Sequence, residues 1–445
     1  LTLSIDVPLE TELEERLGSD FHWSPRSWTE AVNETAALKI PDTKFQRLYD
    51  TAVRTVLMLS AHELYPGVYT YRRFWFRDAC LMLNAMLALG LTERSRRILA
   101  RFPDRQTRAG YFSSQEGEWD SNGQVLWILN RFRQVTGESL PESWLASAVK
   151  AVDWLDKHRL PEETEHGHPG LLPAGFSAEH LGTNDFYYWD DFWAVGGLRG
   201  IAETLQLEGR PEEAARAKRL AEDYQESIDL SLPPLTRCEG IPAAPGRRMD
   251  SGAVGSLVAD YPLQLYPPRH ARIGQTVDYL LEHSFHHGCF FQQMIHSGMN
   301  AYLTLDIAQT LLRYGDPRFM SLIDAVAELA SPTGQWPEAI HPITLGGCMG
   351  DGQHGWAAAE WLMMMRQCFV REEENLLVVG SGLFPRWMET REELAYGPTR
   401  TRWGSVNVRV IPRDDGHLVR VEGHWHGDPP LVRIEIPGCA PVEAD

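Results

Sequence analysis

The chain of 445 residues is poor in several features that would announce common functions. It has no apolar run of the roughly 18 to 20 residues that a membrane-crossing helix needs, and no charged segment followed by an apolar core opens it, so a soluble chain is expected. Its six cysteines, Cys80, Cys238, Cys289, Cys348, Cys368 and Cys439, include no CxxC pair. That spacing supports neither a zinc site nor a small disulfide framework, and predicts mostly reduced thiols in a cytoplasmic protein. Positive charge is short as well: 42 Lys and Arg face 61 Asp and Glu, a formal net charge of -19. Nucleic acid and anionic membranes demand clustered cations, so neither is an expected partner, and a neutral or cationic ligand fits better. Phosphate-binding glycine loops of the Gly-x4-Gly-Lys-Ser/Thr or Gly-x-Gly-x2-Gly kind are missing, so no nucleotide or other organic cofactor is expected. His283, His286 and His287 lack zinc-ligand spacing, so no metal is expected either.

Helical periodicity is plentiful. Apolar residues recur at three- and four-residue spacing over 45–62, 75–91, 93–102, 123–135, 143–158, 192–208, 211–228, 273–283, 302–314, 319–329 and 355–368, with no sustained strand pattern between them. So many helices in one core make either a closed ring of helical hairpins or an open solenoid, and the lack of a repeat of 20 to 50 residues disfavours the solenoid. The Met363 to Met365 run reads as helix core. After about residue 374 the pattern changes to short strands at 376–379, 405–410, 418–423 and 431–436. The expected organisation is an extension over 1–44, whose strand-like Leu1 to Val7 would be the remnant of an upstream β domain, a helical domain over 45–370 and a β-rich appendage over 371–445.

The loops between these helices are rich in glycine, proline, aromatics and acids, as expected where a rigid scaffold displays a site. Arg73 to Asp78 opens an apolar helix, where Asp78 suits the first turn and Arg77 offers a fixed donor fork; with Trp75 they suit adjacent sugar hydroxyls. Glu116 to Gln124 brings Trp119, Asp120 and Gln124 to the start of another helix, with Asp120 or Ser121 also a plausible cap. The stretch from Pro173 to Trp193 holds Glu179, Asp185, Asp190 and Asp191 among large aromatics including Trp189, and an apolar pocket raises the pKa of a carboxyl meant to donate a proton. Glu338 follows Trp336 and Pro337 in a glycine-punctuated loop running on to Gln353, His354 and Trp356. An acid and a base on opposite sides of a glycosidic bond would need two such carboxyls.

Taken in order, Trp75-Phe76-Arg77-Asp78, Glu118-Trp119-Asp120 with Gly123-Gln124, Glu179 ahead of Trp193, and Trp336-Pro337-Glu338 with Gly352-Gln353 and Trp356 resemble the glucoamylase-like clan of six-hairpin glycosidases over about residues 45–370. The resemblance implies a mainly α fold, an (α/α)6 barrel with a small C-terminal β appendage, acting on α-glucosides with inversion and needing no cofactor. It implies Arg77 and Asp78 as binders of the non-reducing sugar, Glu179 as general acid and Glu338 as general base. Related debranching, trehalase-like and processing-glucosidase families use an aspartate in the acid's region, which points to Asp185 or Asp190. Trp75, Trp119, Asp120, Gln124, Asp185, Trp189, Asp190, Trp336, Gln353 and His354 complete the expected sugar-binding set. The expected reaction is exo-acting release of glucose from the non-reducing end of an α-glucoside. The rivals are a sugar epimerase or polysaccharide lyase centred on His180, His296 or His354, a glycoside phosphorylase, and a non-catalytic carbohydrate-binding relative.

Overall fold

Helices with one apolar face need something to cover it, and helices apolar all round need to be surrounded; this chain alternates the two kinds. The computed structural model describes residues 28–164, 167–177, 183–234, 240–293, 297–414, 416–439 and 442–444. Outer and inner elements follow one another as six pairs: α1 (Thr43–Leu59) and α2 (Phe76–Ala88), α3 (Thr92–Leu99) and α4 (Asp120–Thr136), α5 (Glu142–His158) and α6 (Tyr188–Leu207), α7 (Pro211–Ser231) and a 3-10 segment (Ser251–Ala259), α8 (Ala271–His283) and α9 (Ala301–Arg313), α10 (Arg318–Glu328) and α11 (Gly355–Phe369). The inner elements touch in a closed ring, α2 to α4 to α6 to the 3-10 segment to α9 to α11 and back to α2. Every residue of α2 is buried, whereas α7 buries only Ala214, Ala217, Leu220, Ala221, Tyr224 and Ile228, the spacing of one helix face.

The helices expected from periodicity lie within a few residues of those observed. Two starts differ in a way that matters. Helix α4 begins at Asp120 and α6 at Tyr188, earlier than the apolar periods at Gly123 and Phe192, so Asp120, Trp189, Asp190 and Asp191 stand in first helical turns. A carboxylate there is stabilised by the unpaired amides and positive end of the helix dipole. The inner element of the fourth pair falls between the helical periods 211–228 and 273–283. Its sequence, Ser-Gly-Ala-Val-Gly-Ser-Leu-Val-Ala, carries no helical spacing of large residues, yet all nine residues are buried.

Helices α4 and α6 approach closely because glycines meet at their crossing. A Cβ on Gly123 would stand 2.2 Å from the Trp193 carbonyl oxygen, and one on Gly197 2.3 Å from that of Gly123. This contact sets the register between the first turns of the two helices.

Short strands occur within the helical region, contrary to expectation: β2 (Phe285–His286), β3 (Cys289–Gln292), β4 (Gly298–Met299), β5 (Ala339–Ile340) and β6 (Gly347–Met349) form an antiparallel sheet in that order. They stiffen the loops on either side of Glu338. After the ring, β7 (Val370–Glu373), β8 (Leu376–Val379), β12 (Leu431–Ile434) and β13 (Val442–Ala444) make one sheet, and β1 (Ala37–Lys39), β9 (Leu394–Thr401), β10 (Gly404–Arg413) and β11 (Gly416–Trp425) another. Strand β1 pairs antiparallel with β9, Leu38 opposite Tyr396, so the segment before the ring and the segment after it share a sheet. Leu1 to Val7 lies outside the described residues. The buried face of β9 and β10 joins the same hydrophobic core as the helices. Glu372 fastens that junction, accepting from Arg131 Nη2 at 3.1 Å, Arg366 Nη2 at 2.6 Å and the Arg402 amide at 2.7 Å. Burial would raise its pKa, but Arg131 and Arg366 hold it at about 2.

Candidate active site

Four inner helices start at one end of the ring with chemistry-bearing residues in or beside their first turns: Arg77 and Asp78 on α2, Asp120 on α4, Trp189 and Asp190 on α6, and His354 just before α11. Their convergence is a property of the ring, since none of these pairs is close in sequence.

Asp120 is the hub. Its Oδ2 accepts from Arg77 Nε at 2.7 Å, Trp189 Nε1 at 2.8 Å and Gln124 Nε2 at 3.0 Å. It is 2% exposed and caps nothing; its role is to fix a guanidinium and an indole. Arg77 also faces Glu118, Nη2 to Oε2 3.7 Å, and its guanidinium carbon stands 5.9 Å from the centre of the Trp189 ring. Burial pushes the Glu118 carboxyl up to about 7, with Arg77 opposing and Asp120 and Asp78 adding to the rise. Asp190 is enclosed and its Oδ1 has no hydrogen-bond partner among the described residues. Burial, then the nearby Asp120 charge, raise its pKa well above the ordinary aspartate value, a direction that favours the protonated form. Asp191 instead holds a loop: its Oδ1 accepts from the Leu172 amide at 3.0 Å and the Tyr224 hydroxyl at 2.7 Å.

On the neighbouring starts of α2 and α11, Asp78 Oδ1 lies 3.6 Å from His354 Nε2, and His354 Nδ1 is enclosed without a partner among the described residues. The His354 ring neighbours Tyr302 at 5.1 Å, which lies 4.4 Å from Trp356. Glu338 is half-buried at the start of β5, its carboxylate accepting from the Tyr71 hydroxyl and its carbonyl from Asn300 Nδ2 at 2.9 Å. Burial first, then the Glu338 charge, push the Tyr71 hydroxyl pKa up, so it stays a donor.

The structure therefore brings Arg77, Asp120, Gln124, Trp189 and Asp190 into one cluster and places Asp78 beside His354. Trp336 departs from expectation. It is 1% exposed, its ring packs on Trp361 at 5.2 Å and its indole N–H is bonded to the Val326 carbonyl, so it is a core residue and no sugar platform. Trp119 is half-buried against the stacked pair Tyr111 and Trp154, and Gly175 lies so close that a Cβ would meet its Nε1 at 2.4 Å. Trp75 is half-buried with the Arg73 guanidinium 4.5 Å from its ring centre, and Gln353 is half-buried beside His354. Asp185 has both oxygens engaged, Oδ1 by the Phe186 amide at 2.8 Å and Oδ2 by Arg247 Nε at 2.5 Å, which makes it a loop anchor.

Glu179, with His180, lies outside the described residues, as does His296. The flanks of Glu179 are placed: Gly175 and Asp185 exchange backbone hydrogen bonds of 2.9 and 3.1 Å, pinning the ends of the segment between them, and the Phe176 amide bonds to the Gly117 carbonyl at 2.8 Å. Gly175 and Phe176, ahead of Glu179, stand against Trp119 and Gly117. Sequence reasoning missed Tyr71, Asn300 and Tyr302 and did not single out Glu118 for its environment. Glu118 sits next to two marked residues, but nothing local to Tyr71, Asn300 or Tyr302 distinguishes them. Among the described residues no group of three His, Cys, Asp or Glu side chains is arranged to hold a metal ion.

No family model and no curated sequence matches this chain. Solved structures do. A glycosidase, determined as a single-residue variant, superposes with a TM-score of 0.60 and 15% identity over 74% of this chain and 99% of its own. A bacterial glucoamylase complexed with acarbose gives 0.57 and 14% over 76% of this chain and 57% of its own. The fold is that of the glucoamylase-like six-hairpin glycosidases. An α-L-rhamnosidase from Dictyoglumus thermophilum gives 0.61 and 13% over 90% of this chain and 45% of its own, so in that case the likeness runs beyond the glucoamylase-like barrel. At 13–15% identity these likenesses are ones of fold, and the site has to be argued from its own residues.

Proposed function

We propose that the chain is a glycoside hydrolase that releases glucose from the non-reducing end of an α-glucoside by single displacement. Glu338 acts as the general base and Glu179 as the general acid. The observation that carries this reading is the half-buried Glu338 carboxylate under the Tyr71 hydroxyl, on the barrel whose inner helix starts gather Arg77, Asp120 and Trp189. A base needs its lone pair directed at water, and a fixed donor on one carboxylate oxygen leaves the other for that task. Arg77 and Asp78 bind hydroxyls of the terminal sugar, held in place by Asp120 and His354, and contribute by orientation. Asp185 and Asp190 are poorer acids than Glu179: the first is engaged on both oxygens and the second is sealed inside the ring. Support also comes from a glycosidase neighbour solved in complex with glucose, at 16% identity.

An inverting pair stands about 6.5 to 9.5 Å apart, with water between base and sugar. The test is proton NMR of the sugar first released from a panel of α- and β-glucosides and α-L-rhamnosides. The expected result is β-glucose from an α-glucoside, with the rate lowered by at least about a hundredfold in Glu338→Gln. Retention of configuration would refute single displacement, and full activity in the variant would refute Glu338 as base. The rhamnosides are included because the likeness to the rhamnosidase covers 90% of this chain, against 76% for the glucoamylase. Rhamnose release in place of glucose would transfer the same acid and base to that substrate.

A further inference from the structure

The loop that carries Tyr71 leads directly into α2, whereas Glu338 sits some 270 residues later, before α11. A hydroxyl on a loop positions a catalytic carboxylate only if the loop itself is held. Residues 69 to 71 belong to no helix or strand, and Tyr69 is 87% exposed. Yet the amides of Tyr69, Thr70 and Tyr71 all point at one side chain: Asp351 Oδ2 accepts from Tyr69 at 3.1 Å and Tyr71 at 3.0 Å, and Oδ1 from Thr70 at 2.7 Å. Asp351 is 7% exposed and has no ion-pair partner among the described residues. Successive amides aimed at one anion are a strong, charge-assisted arrangement. Although partial burial would raise its pKa, the three amides hold the Asp351 carboxyl below the usual range.

The surroundings are cut to this contact. Gly67 leaves room for the carboxylate, since a Cβ there would stand 2.1 Å from Asp351 Oδ2. Gly350, at φ +72°, turns the chain between Glu338 and Tyr71; a Cβ would lie 3.1 Å from Glu338 Cβ and 3.0 Å from the Tyr71 ring. The Gly355 amide, bonded to the Pro66 carbonyl at 2.6 Å, ties the same two loops a second time.

We propose that Asp351 is a positioning residue: by collecting the amides of residues 69 to 71 it holds the Tyr71 hydroxyl on Glu338 and so sets the geometry of the base. This rests on Glu338 being the general base. Among the described residues, the charged or titratable groups around Tyr71 and Glu338 are Asp78, Asp351 and His354, the last facing Asp78. The sign of one shift separates positioning from plain electrostatics. Removing the Asp351 charge by itself favours ionised Glu338 and moves the acid limb of kcat/KM down in pH; loss of the Tyr71 hydrogen bond moves it up.

The test compares the wild type with Asp351→Asn, Tyr71→Phe, the double variant and Gly67→Ala, which displaces the carboxylate without removing charge. Hydrogen exchange of the peptide spanning 66–74 is expected to quicken about tenfold at the three amides in Asp351→Asn and Gly67→Ala. The acid limb is expected to rise by about one pH unit in each single variant, with no further rise in the double. Unchanged exchange refutes the strap, and a limb that falls or stays fixed refutes its link to the base. Should the wild type hydrolyse no glycoside, the proposed function fails, and the exchange measurement still decides whether Asp351 holds the loop.

Discussion

Asp120 offers the sharpest quantitative test of the site's construction. Replacing it with alanine removes one oxygen that accepts from three buried donors, Arg77 at 2.7 Å, Trp189 at 2.8 Å and Gln124 at 3.0 Å. Each neutral N–H left without a partner costs about 1–3 kcal/mol, and stripping a buried guanidinium of its counter-charge costs about 3–5 kcal/mol. These terms share one cause and are not additive, and Glu118 remains 3.7 Å from Arg77, so the expected loss is about 4 kcal/mol. Asp120→Asn keeps an oxygen for one or two donors but loses the charge, so about 2 kcal/mol is expected. Urea unfolding followed by tryptophan fluorescence measures both. A reference is Glu393→Ala, which removes the surface pair with Arg409 and is expected to leave the midpoint unchanged. If Asp120→Ala unfolds within about 1 kcal/mol of the wild type, the hub reading is wrong. If it is destabilised as expected but turns over substrate at the wild-type rate, the hub is structural and the Arg77 side chain is not oriented by it.

Two further outcomes follow from the packing. Glu360 is fully enclosed, accepting from Tyr261 at 2.7 Å, Gln309 at 3.1 Å and Trp356 at 3.2 Å, and burial raises its carboxyl to about 7. Because the folded pKa lies above the unfolded value near 4.5, its contribution is complete below about pH 4.5 and is lost as pH rises to about 7; the loss approaches about 3 kcal/mol, and Glu360→Gln is expected to remove that part of the slope in pH-dependent urea melts. A variant with the wild-type slope would refute the assignment. Gly123→Ala drives a methyl into the Trp193 backbone, so about 1–3 kcal/mol of destabilisation and an activity loss through a displaced Trp189 are expected in unfolding and rate assays; wild-type values in both would show that α4 and α6 part without consequence.

The extent to which sequence determined this protein divides along the range of the interactions. Helices α1 to α11 were legible because their apolar residues repeat at the period of the backbone, and β8 and β10 to β12 because short β-branched runs end in turn residues. Arg77, Asp78 and Asp120 stand out in the sequence because charge beside aromatics at a helix start is unusual, and Glu338 because it follows Trp336 and Pro337 in a glycine-punctuated loop. Short-range pattern could not reveal the 3-10 segment over Ser251–Ala259, whose small residues are buried only because neighbouring inner elements surround them. Nor could it tell Trp336, sealed against Trp361, from Trp189, bonded to Asp120; both are tryptophans beside acids, and only the direction each faces in the closed ring separates them. Tyr71 on Glu338 and Asp351 beneath residues 69 to 71 are contacts between loops, and Arg77 on Asp120 a contact between helix starts, all far apart along the chain. Such contacts exist only once the ring closes, because packing of helix against helix, and not any local preference, decides which ends meet.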